Sequence, residues 1–294
     1  MSGATGLVGR AFCAHLAAGG VPFRVLSRNP GRARRLAPGG LSYHQWQPIE
    51  RGRPWVSVVE GSRAVVHLAS PLAAAARWTP EHKQMLYDNC IVGTQGLVSA
   101  VAQATSPPEV FVSASTVGYY PPHDRDPNPA DEAGSPGEDF LSSLAADWEA
   151  AAAHVADFGV RQVSLRSGLV LSRRGALRRL RWAARAGLGG PVPPGPQAQS
   201  WIHLADELGL LLLAVDDPRV GGPLNCVAPQ PVSSAEFMSA LRKQLGVPFG
   251  LPLPSAILPG ALAATSGRAA TPSRALALGY EFKHPDLEDA LSHS

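Results

Sequence analysis

The chain opens on a glycine-spaced turn that leads directly into a helical stretch, and this feature limits the possible folds most strongly. Gly3, Gly6 and Gly9 follow the spacing GxxGxxG, and apolar residues then recur at helical intervals as far as residue 18. Glycine tolerates positive φ angles and lets a phosphate approach the backbone, and the N-terminus of a helix attracts anions. The turn therefore predicts a dinucleotide-binding loop, with a plain glycine-rich turn as the alternative. The residues expected to line the loop are Gly3, Thr5, Gly6, Leu7, Val8 and Gly9.

Apolar runs alternate with helical segments after this loop. Residues 64–69 form a continuous apolar run of the kind found in parallel strands that are buried on both faces. Further strands are expected at 110–113 and 162–170, and helices at 82–103 and 141–156. This alternation predicts an α/β fold with a Rossmann-type, doubly wound parallel sheet.

The composition changes at residue 187, where a Gly- and Pro-rich stretch begins. We therefore divide the chain into a dinucleotide-binding domain, residues 1–186, and a small C-terminal substrate lobe, residues 187–294, with some elements crossing between them. The sequence of the lobe indicates no particular substrate.

The position of the glycine loop bears on the first strand. A nucleotide-binding βαβ unit normally opens with a buried strand ahead of its loop, whereas only Met1 and Ser2 precede the loop here. We expect a truncated first β-strand and a sheet that is less stable than a full one. A misassigned start, a shortened isoform and a fragment are equally open explanations.

Charge and composition exclude several classes of protein. The net charge of +3, with basic residues spread along the chain, argues against nucleic-acid binding. No apolar run is long enough to cross a bilayer, so no membrane association is expected. The three cysteines are far apart and fit neither a disulfide framework nor a metal site; we therefore expect no metal.

A cytoplasmic location is the default expectation, with an organellar leader upstream of a shortened start as the alternative. The flanking helices of such sheets often pair, so a homodimer is a further expectation.

The first 49 residues contain no Asp or Glu. A site that prefers NAD(H) usually places an acid at the end of the second strand, where it binds the ribose 2′-hydroxyl. Here that strand ends in Ser27 and Arg28, which offer donors and positive charge to a 2′-phosphate. The sequence therefore predicts NADP(H) rather than NAD(H), with a solvated basic loop as the alternative.

Further motifs occur in a fixed order over nearly the whole chain. The segment 112–120, Val-Ser-Ala-Ser-Thr-Val-Gly-Tyr-Tyr, resembles the strand end that carries the catalytic serine in extended short-chain dehydrogenases. The set as a whole resembles the "epimerase family" of NADP-dependent oxidoreductases, a branch of the atypical short-chain dehydrogenase/reductases. The other motifs are Arg77-Trp78-Thr79, Asp131-Glu132, Asp147-Trp148-Glu149, Arg166-Ser167-Gly168-Leu169, Gly187-Leu188-Gly189-Gly190-Pro191, Trp201-Ile202-His203, Asn225-Cys226-Val227-Ala228-Pro229, Ala235-Glu236-Phe237 and Pro285-Asp286-Leu287.

The resemblance implies roles for particular residues. Ser115 and Tyr119 match the family's catalytic serine and the tyrosine four positions later. Tyr120, Trp201 and His203 fall in the implied substrate pocket, although a packing tryptophan and a capping histidine are equally open interpretations. The implied cofactor contacts beyond the glycine loop are Ser27, Arg28, Leu68, Ala69, Ser70 and Val170.

The chain departs from the family pattern at several positions. His67 and Ser70 stand where the family usually has Asn and Gly, and Asn89-Cys90 replaces a Ser-Arg pair. The segment 254–279 is shorter than in relatives. The loss of the Ser-Arg pair removes one expected cofactor contact.

The proton relay of standard short-chain dehydrogenases is missing. That relay is a Tyr with a Lys four residues later, where the Lys lowers the Tyr pKa; no tyrosine of this chain has such a lysine. Ser115 can still hold a substrate oxygen, and Tyr119, Tyr120 or His123 can supply a proton. The two tyrosines can equally well pack at the strand end with their hydroxyls in water.

Three functions are compatible with these residues. The first is an NADP(H)-dependent oxidoreductase or epimerase on a small carbonyl or sugar-like substrate. The second is a non-catalytic NADP(H)-binding sensor or scaffold, which the missing relay favours. The third is a defective isoform that binds no cofactor, which the short first strand suggests.

Overall fold

The computed structural model describes residues 1–47, 55–70, 79–122, 128–191, 195–252 and 267–294. Ten strands lie in these segments: β1 Arg24–Ser27, β2 Ser42–Gln45, β3 Ala64–His67, β4 Val110–Thr116, β5 Arg161–Ser167, β6 Leu169–Leu171, β7 Ala198–Gln199, β8 Trp201–His203, β9 Gly222–Cys226 and β10 Val232–Ser233. The α-helices are α1 Leu7–Ala18, α2 Pro30–Leu36, α3 Val56–Val59, α4 Pro80–Tyr87, α5 Gly93–Ala102, α6 Phe140–Ala153, α7 Ala176–Arg185, α8 Leu204–Asp216, α9 Ser234–Leu245, α10 Ser273–Ala277 and α11 Leu287–His293.

The main sheet is parallel throughout. The strands β3, β4, β5 and β9 lie side by side in that order, and β1 pairs with β2. Residue Ser2 bridges the two groups, because it forms parallel bridges to Leu26 in β1 and to His67 in β3. The carboxyl ends of all these strands therefore meet at one edge, which is where ligands bind in open α/β sheets.

Met1 and Ser2 occupy the strand position between β1 and β3. The Ser2 N–H donates to the Val66 carbonyl at 2.9 Å, and the Leu68 N–H donates to the Ser2 carbonyl at 3.2 Å. On the other side, the Leu26 N–H donates to the Met1 carbonyl at 2.8 Å. The expected short first strand is therefore present as two residues that pair on both sides.

Helices cover both faces of the sheet. One face packs Phe12 of α1 and Leu210 of α8 against Val112 and Val163 of the strands. The opposite face packs Val58 of α3 and Leu97 of α5, among other residues, against Phe111. Because both faces are covered, the strands are buried apolar runs, and the predicted doubly wound α/β architecture is confirmed.

A smaller lobe forms around α7, α9 and α11. Its core contains Leu177, Trp201, Phe237 and Leu291, all at most 1% exposed. The parallel pair β6–β8 and the antiparallel pair β7–β10 belong to this region. In the segments that the structure describes, no helix is both long and apolar enough to span a membrane.

The chain passes several times between the main sheet and the lobe. The strand predicted at 162–170 is divided at Gly168, after which β6 pairs with β8 instead of continuing in the main sheet. A Cβ at Gly168 would lie 2.9 Å from the Ser200 carbonyl oxygen, so glycine allows this close passage. Later, β9 returns to the main sheet beside β5. Elements beyond residue 187 therefore complete the first domain.

Candidate active site

The glycine loop lies against the end of β3. Gly3 has a φ of 78°, and a Cβ at this position would lie 2.5 Å from the Leu68 carbonyl oxygen and 2.7 Å from the Ala69 nitrogen. A Cβ at Gly9 would collide with the Gly3 carbonyl oxygen. Positive φ and close backbone approach both require glycine here. The structure thus brings the loop together with two of the predicted cofactor contacts, Leu68 and Ala69.

The N-terminus of α1 is open to a ligand. Gly6 is the N-cap, and no side chain in the described part of the molecule caps it. Helix geometry leaves the N–H groups of Leu7, Val8 and Gly9 without partners inside the helix. The first turn also contains no acid, so the helix dipole and the free donors favour an anion such as a pyrophosphate.

The basic end of β1 lies at the same edge of the sheet. Ser27 is the last residue of β1, and its hydroxyl bonds with the backbone of Asn29. Arg28 follows and is exposed. Asn29 then caps α2 by accepting a hydrogen bond from the Arg32 N–H at 2.9 Å. This turn leaves the Arg28 side chain exposed to solvent beside the end of β1.

Two departures from the family pattern contact each other at the end of β3. The Ser70 hydroxyl lies 3.5 Å from the Cys90 thiol. Burial raises the pKa of Cys90 to about 11, so this thiol is protonated.

His67 is a third departure from the family pattern. It is buried, and its Nδ1 lies 2.5 Å from the Ser2 hydroxyl. Burial lowers the pKa of His67 to about 3, so the imidazole is neutral and packs inside the sheet.

Val170 lies in β6, and the loop after β6 reaches the glycine loop. A Cβ at Gly175 would lie 3.4 Å from the Leu7 side chain. The strand that carries Val170 therefore leads to the open end of α1.

Ser115 belongs to a buried network that links β4, α6 and β5. Its hydroxyl donates to Glu149 Oε1 at 2.6 Å. Arg166 donates to both oxygens of the same carboxylate, each at 2.8 Å. The side chains of Arg166 and Glu149 are 3% and 13% exposed, so this is a desolvated, bidentate ion pair of the strong kind. Burial alone would lower the pKa of Arg166, but the hydrogen bonds and the charge of Glu149 outweigh it and raise that pKa.

Arg166 also contacts both predicted tyrosines. Its guanidinium carbon lies 3.5 Å from the centroid of the Tyr119 ring, a cation–π arrangement. The Tyr119 side chain is half-buried, whereas Tyr120 is 1% exposed. Ser115 therefore contacts the Glu149 end of one ion pair, and Tyr119 contacts its Arg166 end.

Tyr120 is an internal group. Its hydroxyl accepts from Arg166 Nη1 at 2.9 Å and lies 2.7 Å from Asn225 Oδ1. Burial raises the pKa of Tyr120 to about 12. The hydroxyl of this predicted pocket residue therefore lies among internal hydrogen-bond partners.

Trp201 and His203 have packing and capping contacts. Trp201 is 1% exposed in the core of the lobe, and its Nε1 has no hydrogen-bond partner among the described residues. His203 Nδ1 accepts from the Ala205 N–H at 3.2 Å and so caps α8. Burial lowers the pKa of His203. The two residues thus have the contacts of a packing tryptophan and a capping histidine, and their place in a substrate pocket stays a prediction.

The sequence favours a structural ion pair for Arg166 over an anion contact, but the pairing of Arg166 with Glu149 was not predicted. Arg166 lies in a buried part of β5, and a buried arginine requires an acidic partner. That requirement was the available signal, but it does not identify which acid is the partner. The motif residues Arg77 and Trp78, the proton-donor candidate His123 and residues 254–266, half of the segment 254–279, lie outside the described residues.

Comparison with known proteins gives consistent results. The model of the NAD dependent epimerase/dehydratase family matches residues 1–226, and a domain of unknown function, DUF1731, matches residues 257–294. The "Epimerase family protein Mb2239" of Mycobacterium bovis is 34% identical, over 100% of this chain and 96% of its own length. The human "Epimerase family protein SDR39U1" is 34% identical, over 99% of this chain and 97% of its own length.

A solved structure extends these matches to three dimensions. The crystal structure of human epimerase family protein SDR39U1, isoform 2, with NADPH superposes with a TM-score of 0.85 at 33% identity. The match covers 99% of this chain and 96% of that chain. The resemblance to the epimerase family of atypical short-chain dehydrogenase/reductases is confirmed. With its glycine loop, parallel sheet and full-length relatives in agreement, the chain belongs to the NAD dependent epimerase/dehydratase family.

Proposed function

We propose that this protein is an NADP(H)-dependent oxidoreductase or epimerase that acts on a small carbonyl or sugar-like substrate. One observation carries the proposal: the uncapped N-terminus of α1 sits behind a loop in which Gly3 and Gly9 leave no room for side chains. A pyrophosphate fits such a loop because free N–H groups and the helix dipole both favour it. The human relative at 33% identity was crystallised with NADPH, which supports the same cofactor here.

The residues at the sheet edge fit the cofactor. The N–H groups of Leu7 and Val8 would hold the pyrophosphate, and the backbone at Leu68 and Ala69 would lie beside the adenosine half. Ser27 and Arg28 would bind the 2′-phosphate, since a guanidinium pairs well with phosphate oxygens. Val170 would contact the cofactor from β6. Bound NADP(H) would supply or accept the hydride equivalent.

Ser115 and Tyr119 are the candidate catalytic residues. Ser115 would hold a substrate oxygen, with its hydroxyl oriented by Glu149, to which it donates at 2.6 Å. Tyr119 would exchange a proton with the same oxygen, because its side chain is half-buried while its ring is fixed against Arg166. The pair Glu149–Arg166 would thus position both residues in place of the missing Tyr–Lys relay.

The Ser115–Glu149 hydrogen bond also favours a second candidate function. A serine that already donates its proton to a partly buried acid has none to donate to a substrate carbonyl. In that case the protein would be a non-catalytic NADP(H)-binding sensor or scaffold.

Titration calorimetry with NADPH and NADH tests the cofactor proposal. The expected result is tight binding of NADPH and weak binding of NADH. The Arg28→Asp variant should weaken NADPH by roughly ten- to a hundredfold, because a hydrogen bond between charged groups is worth about 1.5–3 kcal/mol, and should change NADH little. Arg35→Asp makes the same charge change on α2 and serves as the control.

Two outcomes would contradict these assignments. An equal loss of both nucleotides in Arg28→Asp would mean that Arg28 does not contact a 2′-phosphate, and no binding of either would remove the proposed function. NADPH consumption with a panel of aldehydes, ketones and keto-sugars then separates the two candidates. If the protein binds NADPH but consumes none with any substrate, and if Tyr119→Phe leaves NADPH binding unchanged, the sensor function is favoured.

A further inference from the structure

Three metal-ligating side chains converge at the C-terminus, away from the glycine loop. His284 Nδ1 lies 2.6 Å from Asp289 Oδ2, and His293 Nδ1 lies 3.1 Å from Asp289 Oδ1. One donor atom from each side chain falls within 4.8 Å of the other two. The three side chains are 17%, 42% and 59% exposed, in chain order. The cluster is therefore partly desolvated on the His284 side and open to solvent on the other.

The backbone that carries this cluster is fixed by independent contacts. The buried Asp206 carboxylate accepts from the N–H groups of Lys283 at 2.7 Å and of His284 at 3.0 Å. Asp286 caps α11 by accepting from the Asp289 N–H at 3.0 Å. Within α11, Asp289 and His293 are four residues apart and share one face of the helix. These contacts thus fix the backbone that carries His284 and Asp289.

The other surroundings of the cluster also restrict its side chains. The His203 ring lies 4.0 Å from the His284 ring, centroid to centroid. The opposite face of α11 is anchored by Leu287 and Leu291 in the core of the lobe. His284 is therefore held between a neighbouring ring and the Asp289 carboxylate.

We propose that His284, Asp289 and His293 form a binding site for a divalent transition metal, with Zn²⁺ as the best fit. Two imidazoles and one carboxylate are a common zinc ligand set, and they leave a fourth position for water or another ligand. With metal–ligand bonds of about 2.0–2.1 Å, neighbouring donors in a tetrahedral site lie roughly 3.3 Å apart. The two imidazole–carboxylate contacts, at 2.6 and 3.1 Å, are slightly shorter than this spacing, and all three donors lie within 4.8 Å of one another.

Binding would replace hydrogen bonds by metal–ligand bonds. Each imidazole binds as the neutral ring and coordinates through a nitrogen lone pair. The metal would tie α11 to the segment that Asp206 holds against α8. Because the unfolded chain does not preform these three ligands, metal binding would stabilise the folded protein.

The test is a titration of the metal-free full-length protein with Zn²⁺ by calorimetry, and with Co²⁺, whose visible absorption reports tetrahedral coordination. We expect one saturable site with micromolar affinity and a rise in the melting temperature on adding Zn²⁺. His284→Gln and Asp289→Asn should each weaken binding by at least about tenfold and abolish that rise.

His154→Gln is a matched control. His154 is an exposed histidine 3.4 Å from Asp157, and in the described structure that pair belongs to no cluster of three ligands. This variant should bind Zn²⁺ like the parent protein. Melting of all variants in chelator shows whether each one is folded. Equal binding by folded His284→Gln and the parent, or no saturable binding by the parent, would overturn the proposal.

Discussion

At the residue scale, Gly3 sets the distance between the cofactor loop and the sheet. Its positive φ and its contact with the Leu68 carbonyl are two separate reasons for glycine, one conformational and one steric. Gly20, at the other end of α1, has a similar φ of 67°, but a Cβ there would meet nothing within 4 Å. A substitution at Gly20 therefore tests the conformational effect alone, and a substitution at Gly3 tests the conformational and steric effects together.

Gly3→Ala should destabilise the protein more than Gly20→Ala and should impair NADPH binding. The φ penalty alone is about 1–2 kcal/mol in each variant, while Gly3→Ala must also displace the backbone at Leu68. Thermal melting and calorimetry with NADPH measure the two effects. Equal melting temperatures and unchanged NADPH affinity in both variants would contradict the close approach.

The residues of the predicted cofactor site could be identified from the sequence because they lie close together along the chain. The glycine loop, the absence of early acids and the Ser27–Arg28 pair can all be identified from neighbours along the chain. The partners of Arg166 cannot, since Glu149 precedes it by a helix turn, a loop and most of a strand. The spacing of the cysteines predicts no metal site, and it gives no indication of the cluster that His284, Asp289 and His293 form in the fold.

At the scale of elements, the pair Glu149–Arg166 connects α6 to the sheet. Glu149 is on α6, Arg166 is on β5, and Ser115 on β4 binds the same carboxylate. On a neighbouring face of α6, the Trp148 Nε1 donates to the Thr94 hydroxyl at 2.8 Å. Helix α6 is thus fixed both by apolar packing and by a buried ion pair.

Glu149→Gln should destabilise the protein by about 3 kcal/mol or more, since breaking a buried pair leaves an uncompensated charge. Glu109→Gln is the control: Glu109 and Arg63 are 77% and 60% exposed and 3.8 Å apart, so its cost should stay below about 1 kcal/mol. Chemical denaturation measures both variants. Similar costs would show that the Arg166 pair is not desolvated as described.

Most elements could be predicted from periodicity, but their connections could not. The apolar runs at 64–69 and 110–113 correspond to β3 and β4, and the helix expected at 141–156 begins at Phe140. The run 162–170 was predicted as one strand because apolar residues recur on both sides of Gly168. Its division at Gly168 depends on the Ser200 backbone, which is distant in sequence.

At the scale of the whole molecule, a buried acid makes stability depend on pH. Glu207 on α8 is 2% exposed, and one carboxylate oxygen accepts from the Ser167 hydroxyl at 2.6 Å. Its other oxygen has no hydrogen-bond partner among the described residues. Burial raises the pKa of Glu207 to about 7, and the Ser167 hydrogen bond only partly opposes this.

The sign follows from proton binding. Between the ordinary carboxyl pKa near 4.5 and the folded value of about 7, the folded state holds a proton that the unfolded state has released. The free energy of unfolding should therefore fall as pH rises through this window, by up to about 1.4 kcal/mol per pH unit.

Glu207→Gln should remove this contribution and should stabilise the protein most above about pH 7. Urea denaturation at a series of pH values from about 4.5 to about 7 measures the free energy of unfolding. As the control, Glu109→Gln should show the same dependence on pH as the parent protein. An unchanged slope in Glu207→Gln would mean that the carboxyl is not protonated in the folded state.

The return of β9 to the main sheet has a consequence for how the protein is made. The ribosome releases β5 long before β9, the strand that covers its outer edge, and the chain between them contributes α7 and α8. Throughout that interval the nascent sheet presents an unpaired edge, and one face lacks α8. Exposed edges and uncovered apolar faces are sites of aggregation. The dinucleotide-binding half therefore cannot finish folding from the N-terminus outward, because its sheet is complete only after Cys226 has emerged.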